Sequence, residues 1–209
     1  MRSHKLGIAL FCAGSLFGAD VARADEQTHP NAQTSASDGK TPGSPPPARW
    51  AIGVEADLLP YVLHGWHADA WVGRGGWRAR AIAVSFLSPS VFTPSGFRDQ
   101  RTTMYEVEVD RFFGSHADTF RGPWVAAGGG LSLLTIDADD GSGHASASVF
   151  EVSVGVGWSF ALPAGFYIDP WIGGGYQSTP TTIDVGAHTW NPTRLNPALG
   201  LKLGWSLLP

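Results

Sequence analysis

Residues Phe150 to Phe160 read F-E-V-S-V-G-V-G-W-S-F. Side chains along a strand alternate between its faces, so Phe150, Val152, Val154, Val156, Trp158 and Phe160 share one face. Glu151, Ser153, Gly155, Gly157 and Ser159 share the other. The closing segment repeats the pattern, with Leu199, Leu201, Leu203, Trp205 and Leu207 opposing Ala198, Gly200, Lys202, Gly204 and Ser206. A wholly apolar face ending in aromatics, backed by a small or polar face, suits a barrel wall between lipid and a polar interior.

The chain has 209 residues, room for one folded domain behind a separate front end. Arg2 and Lys5 precede an apolar run from Leu6 to Ala19, and Ala22-Arg23-Ala24 supplies a small-x-small site. Residues 1–24 therefore read as a signal peptide cleaved after Ala24, the run being too short for a membrane-spanning helix. Phe11 before Cys12 does not suit a lipoprotein signal, so the one cysteine is expected to leave with the signal. That leaves the mature chain no thiol for a disulfide, a metal or a nucleophile. Residues 25–48 have no apolar side chain larger than alanine and are expected to form a disordered periplasmic segment, stiffened at Pro45-Pro46-Pro47.

Eight strands can be laid out across residues 49–209, at 49–59, 65–73, 76–87, 101–113, 123–136, 147–161, 166–178 and 195–207. Short connections (74–75, 116–121, 163–165) alternate with longer ones rich in Pro, Gly, Asp and Thr (88–100, 137–146, 179–194). Residues 60–64 are the exception, short where a long loop is expected. Outer-membrane barrels have short periplasmic turns and longer outer loops. Beside the short turns stand Trp50, Trp77, Phe113, Trp124, Trp158, Phe160, Phe166 and Trp205, a ring for every strand but the second, whose Trp71 points inward. Amphipathic rings gather at a membrane–water interface, so this reads as a periplasmic-side belt. With Arg74-Gly75 as a two-residue hairpin turn, Asp69 would face Arg80 across the strands.

The same alternation sends Glu55, Asp57, Asp69, Glu106, Glu108, Asp110, Glu151 and Asp169 inward with Arg78, Arg80 and Lys202. Arg78 and Arg80 fall beside Glu106 to Asp110, and Lys202 beside Glu55 or Asp57. Eight-stranded barrels are filled by side chains, so this set reads as a salt-bridged core rather than a transport path. The excess of acids implies raised carboxyl pKa values, or held water or a cation.

No catalytic constellation stands out. Ser115-His116-Ala117-Asp118 holds hydrolase residue types, but neighbours in one turn cannot form a triad unaided. His64 and His67 with Asp69 read as interface packing rather than metal ligands. Asp137, Asp139 and Asp140 before Gly141 lack the closing glutamate of a calcium loop. The glycine runs 128–130 and 173–175 lie within strands, where they permit bending and close packing.

Phe92-Thr93-Pro94-Ser95-Gly96-Phe97, followed by Tyr105 and Val109-Asp110-Arg111-Phe112-Phe113, resembles a group of uncharacterised Gram-negative barrels. In that group an F-x-P-x-G-F loop leads into a strand ending V-D-x-F-F. More broadly, the chain resembles the small eight-stranded outer-membrane barrels of the OmpA membrane-domain type. The resemblance implies a fold and a location but no activity or catalytic residues. One departure is that Trp205 is followed by Ser-Leu-Leu-Pro, whereas such barrels usually end on an aromatic read by the assembly machinery.

The resulting expectation is an all-β, eight-stranded antiparallel up-and-down barrel, monomeric, in the outer membrane of a Gram-negative bacterium. It would have a structural or surface-interaction role and no cofactor, and would not be an enzyme. Outer-membrane lipid, lipopolysaccharide and the assembly machinery are its expected partners; nothing is basic enough for nucleic acid. One rival is a barrel enzyme that hydrolyses or transfers lipid acyl chains, which needs a lipid-facing Ser–His pair with an acid. The other is a soluble periplasmic ligand-binding barrel with its apolar face inward.

Overall fold

Branched, aromatic and leucine side chains alternate with glycine, serine and charged residues through most of the chain, and each such run forms an antiparallel strand. The wall consists of β1 (Trp50–Asp57), β2 (Trp66–Arg74), β3 (Trp77–Leu87), β4 (Phe97–Phe112), β5 (Gly122–Ala138), β6 (His144–Ala161), β7 (Phe166–Gln177) and β10 (Leu195–Leu207). A small hairpin, β8 (Ile183–Val185) and β9 (His188–Trp190), lies in the last loop. Each wall strand pairs with its neighbours, and β1 pairs with β10 to close an eight-stranded barrel. This computed structural model describes residues 49–180 and 182–207; the expected signal peptide and the 25–48 segment lie outside them.

The β2–β3 turn corrects the expected register. Arg74 pairs with Trp77 and Gly73 with Arg78, so the turn residues are Gly75 and Gly76 rather than Arg74 and Gly75. Their φ values, 58° and 77°, are the left-handed pair that a type I′ hairpin requires and glycine adopts freely. Asp69 consequently faces Ile82, not Arg80.

The short connection at 60–64 also has a physical reason: it is mostly helix, α1 (Leu58–Val62). Asp57 caps it by accepting the Leu59 N–H at Oδ1, 3.0 Å. The N–H groups of Leu63 and Gly65 bond back to the Leu59 and Pro60 carbonyls. Leu58, Leu59, Tyr61 and Val62 are exposed around this turn.

The wall is uneven in height. Strands β1 and β2 have 8 and 9 residues, whereas β4, β5 and β6 have 16, 17 and 18. On the tall side the outward face is apolar through Tyr105, Leu131, Leu133 and Phe150, then polar through Thr103, Thr135, Ser146, Ser148 and His144. A bulge between Arg98 and Arg101 reverses parity and turns Phe97 inward.

Candidate functional site

The outer and inner faces differ in chemistry along every wall strand. On β6 Val154 is 65% exposed and Glu151 only 7%. Trp50, Trp77, Phe113, Trp158, Phe160, Phe166 and Trp205 all point outward at the turn end. The Arg74 guanidinium lies over Trp50 at 5.6 Å and that of Arg111 over Trp77 at 5.1 Å.

Trp124 is a correction to that belt. It is 2% exposed and points inward, donating its indole N–H to Asp169 Oδ1 at 2.7 Å. The outward residues of β5 are Val125, Ala127, Gly129, Leu131 and Leu133, a more apolar set than the one containing Trp124. That contrast was the available signal.

Turned inward, Trp124 joins Trp71, Phe112, Phe120 and Tyr167 in an aromatic plug that fills the turn end of the lumen. Phe120 reaches the plug through a left-handed backbone (φ 55°), which folds the β4–β5 connection under the barrel. Its ring lies 5.2 Å from Trp71 and 5.6 Å from Phe112. Gly73 makes this approach possible, since a Cβ there would sit 2.5 Å from the Phe120 ring. The Tyr167 hydroxyl accepts from Trp71 Nε1 at 2.8 Å and donates to Glu55 Oε1 at 2.6 Å. Phe112 shares the parity of Asp110, so its inward position follows from the alternation. Phe120 lies in a turn with no such pattern.

Above the plug is the charge layer. The Arg78 guanidinium contacts Glu55 and Asp110, and its Nη2 lies 3.6 Å from Asp169. Arg80 contacts Glu108, reaches Asp110 at 3.0 Å, and meets Asp69 at 3.0 Å along a diagonal despite the corrected register. Lys202 pairs in register with Asp57 and points its Nζ toward Glu55 at 3.8 Å. Asp57 Oδ2 instead accepts from Trp171 Nε1 at 2.7 Å. Trp71 and Phe112 lie under Arg78, and Trp124 under Arg80 and Lys202, so the plug also holds the bases through cation–π contacts. Glu55 Oε2, Asp69 Oδ1, Asp169 Oδ2 and Arg78 Nη2 are buried without a hydrogen bond among the described residues, although Glu55 Oε2 lies within ion-pair distance of Arg80 and Lys202.

Toward the loop end, among the described residues, Glu106 and Glu151 form no ion pair, and Glu108, which Arg80 contacts, marks the border of the charge layer. Ser153 Oγ meets both Glu106 and Glu108, the latter at 3.1 Å. Glu151 Oε2 accepts from Ser132 at 2.8 Å and Gln177 at 2.7 Å. An apolar cap lies above: Phe97, Leu134, Ile136, Ala145 and Val149 pack with Val185 and Trp190 from the β8–β9 hairpin. The lumen is therefore filled in layers, with apolar closure at both ends.

The lesser candidates are dispersed. His67 is inward and accepts the Asp57 N–H at Nδ1, 3.2 Å, while His64 lies in the loop before β2. No hydrogen bond joins the side chains of Ser115, His116 and Asp118 among the described residues. His144 Nδ1 lies 2.7 Å from Asp137 Oδ1 on the outer wall, and Ser146 follows on that face, yet among the described residues no hydroxyl is hydrogen-bonded to the His144 ring. Asp140 is held at about 2 by hydrogen bonds from Ser142 and, more weakly, by His188 at 3.1 Å. Among the described residues no group of three or more His, Cys, Asp or Glu is placed to hold a metal ion.

No family model matches the chain, and no curated protein matches it. Among solved structures it is similar to the crystal structure of Neisserial surface protein A at 14% identity, with a TM-score of 0.43. The match covers 75% of this chain and 94% of that one.

Proposed function

We propose that this chain is an integral outer-membrane barrel with a structural or surface-interaction role. The observation that supports the reading best is the inversion of its faces: charge inside, and an unbroken apolar band outside. A soluble protein seldom exposes an apolar patch of more than a few hundred Å². The inversion also opposes the soluble ligand-binding alternative, which needs the apolar face inward. Phe150 to Phe160 spans about 33 Å along the strand and about 25 Å along the barrel axis at a tilt near 40°, the height of a lipid-facing band. The short turns then face the periplasm and the polar crown of β4–β6 faces outward.

A passive role is favoured over transport because both ends of the lumen are closed by apolar side chains and the bases between them are engaged by carboxylates. It is favoured over lipid hydrolysis because, among the described residues, no hydroxyl meets the outward Asp137–His144 pair. The test is refolding of the full chain into lipid vesicles, followed by gel mobility with and without boiling. The expected result is a faster band that is lost on boiling and co-floats with vesicles. A chain that stays in the aqueous fraction contradicts the reading.

A further inference from the structure

The outer wall from β1 to β5 carries an apolar groove of about 830 Å³. Ala68, Ala70, Ala81 and Ala83 form its floor; Val54, Tyr105 and Val107 stand at its sides. Above the floor the wall turns polar. Ser85 follows Ala83 in the outward parity of β3 but is buried, at 4% exposure, whereas the half-buried Thr103 and Arg101 succeed Tyr105 on β4. Ser85 Oγ lies 3.0 Å from Thr103 Oγ1 and accepts from Arg101 Nη1 at 3.2 Å. Among the described residues Arg101 forms no ion pair, and this hydroxyl is its hydrogen-bond partner.

Height decides what could meet that guanidinium. Arg101 is twelve residues from Phe113 of the turn-end belt. That separation is about 40 Å along the strand and about 30 Å along the axis at the usual tilt, just beyond a band about 25 Å tall. Arg101 thus reaches the outer headgroup layer, while the alanines below it lie at acyl-chain depth. Small side chains allow close approach where water supplies no driving force, and guanidinium groups suit phosphate.

Resting on the membrane reading, we infer that the groove binds a phosphorylated outer-leaflet lipid of the lipid A class. Its phosphate sits on Arg101 beside the Thr103 hydroxyl, with the buried Ser85 hydroxyl holding the guanidinium from behind, and one acyl chain lies over the paired alanines Ala83 and Ala68, then Ala81 and Ala70. The charge of the head and the apolar floor beneath it are both needed, which separates this lipid from free phosphate and from an uncharged chain.

The experiment uses the full chain refolded into vesicles of phosphatidylethanolamine containing bisphosphorylated lipid A or its dephosphorylated form, then native mass spectrometry of the extracted barrel. Wild type should retain phosphorylated lipid A in preference to the dephosphorylated form, undiminished by added inorganic phosphate. Arg101→Gln should weaken retention roughly tenfold and abolish the preference, the worth of one charged hydrogen-bond contact. Ala81→Phe, which fills the groove, should lose both forms. Arg98→Gln, at an exposed site paired with Asp99, should bind as wild type does. Equal retention by wild type, Arg101→Gln and Ala81→Phe, all inserted and heat-modifiable, overturns the inference while leaving the membrane reading intact. Displacement by inorganic phosphate overturns it in favour of a simple anion site. A dimer that Ala81→Phe converts to monomer overturns it in favour of a second copy. Failure of wild type to enter vesicles overturns the membrane reading and this inference with it.

Discussion

Both halves of the lumen are lined by carboxylates, and they hold them by different means. In the turn half, Arg78 and Arg80 bridge Glu55, Asp69, Glu108 and Asp110, braced from below by Trp71, Phe112 and Trp124. In the loop half, Glu106 and Glu151 meet only hydroxyls and an amide, from Ser132, Ser153 and Gln177. Where opposite charges interlock, each partner is indispensable. Where neutral donors serve, a carboxylate can be exchanged for its amide. Five substitutions sharpen that contrast.

Arg78→Ala should be the most damaging. It strips Glu55 and Asp110, both without side-chain exposure, of the guanidinium between them and leaves Arg80 as the one cation touching both among the described residues. Removing one partner of a buried pair costs about 3–5 kcal/mol, measurable by urea unfolding of the refolded barrel. Arg80→Ala should follow. Because Arg80 and Asp69 touch, adding Asp69→Asn should return part of the loss, with a coupling of about 0.5–3 kcal/mol. Strict additivity would show that the diagonal contact is absent.

Trp124→Phe keeps the plug filled but deletes the donor to Asp169. Loss of a hydrogen bond to a charged group should cost about 1.5–3 kcal/mol in the same assay. The smallest effect is expected from Glu106→Gln, within about 1 kcal/mol of wild type, because the amide can still meet Ser153 and no base loses a partner. A large loss there, matching Arg78→Ala, would erase the distinction between the halves.

Most of the wall and the charge layer was legible because period-two alternation is local and strict. Glu55, Asp57, Asp69, Arg78, Arg80, Glu106, Asp110, Glu151, Asp169 and Lys202 all lie inside and buried, with Glu108 half-buried among them. What escaped was set by features that alternation does not encode. Trp124 is the exception, since the β5 alternation that turns Val125, Leu131 and Leu133 outward already turns it inward, and the aromatic-belt expectation ran against that parity. The β2–β3 register turned on which two of four adjacent small or polar residues take positive φ. Phe120, α1 and the β8–β9 hairpin lie in connections, where a ring or helical turn is placed by the barrel it closes.

The central claim is the inversion of faces, and neighbouring residues on one strand test it. Val154 points outward in the middle of the apolar band; Ser153 points inward against Glu106 and Glu108. Val154→Arg places a cation in the middle of the apolar band, a cost of roughly 2–4 kcal/mol at a lipid midplane, whereas Ser153→Arg adds a base beside Glu106, which has no ion-pair partner among the described residues. Insertion of both variants into vesicles should be scored side by side. The predicted result is strong impairment for Val154→Arg and near-normal insertion for Ser153→Arg; equal impairment, or better insertion of Val154→Arg, would contradict the account.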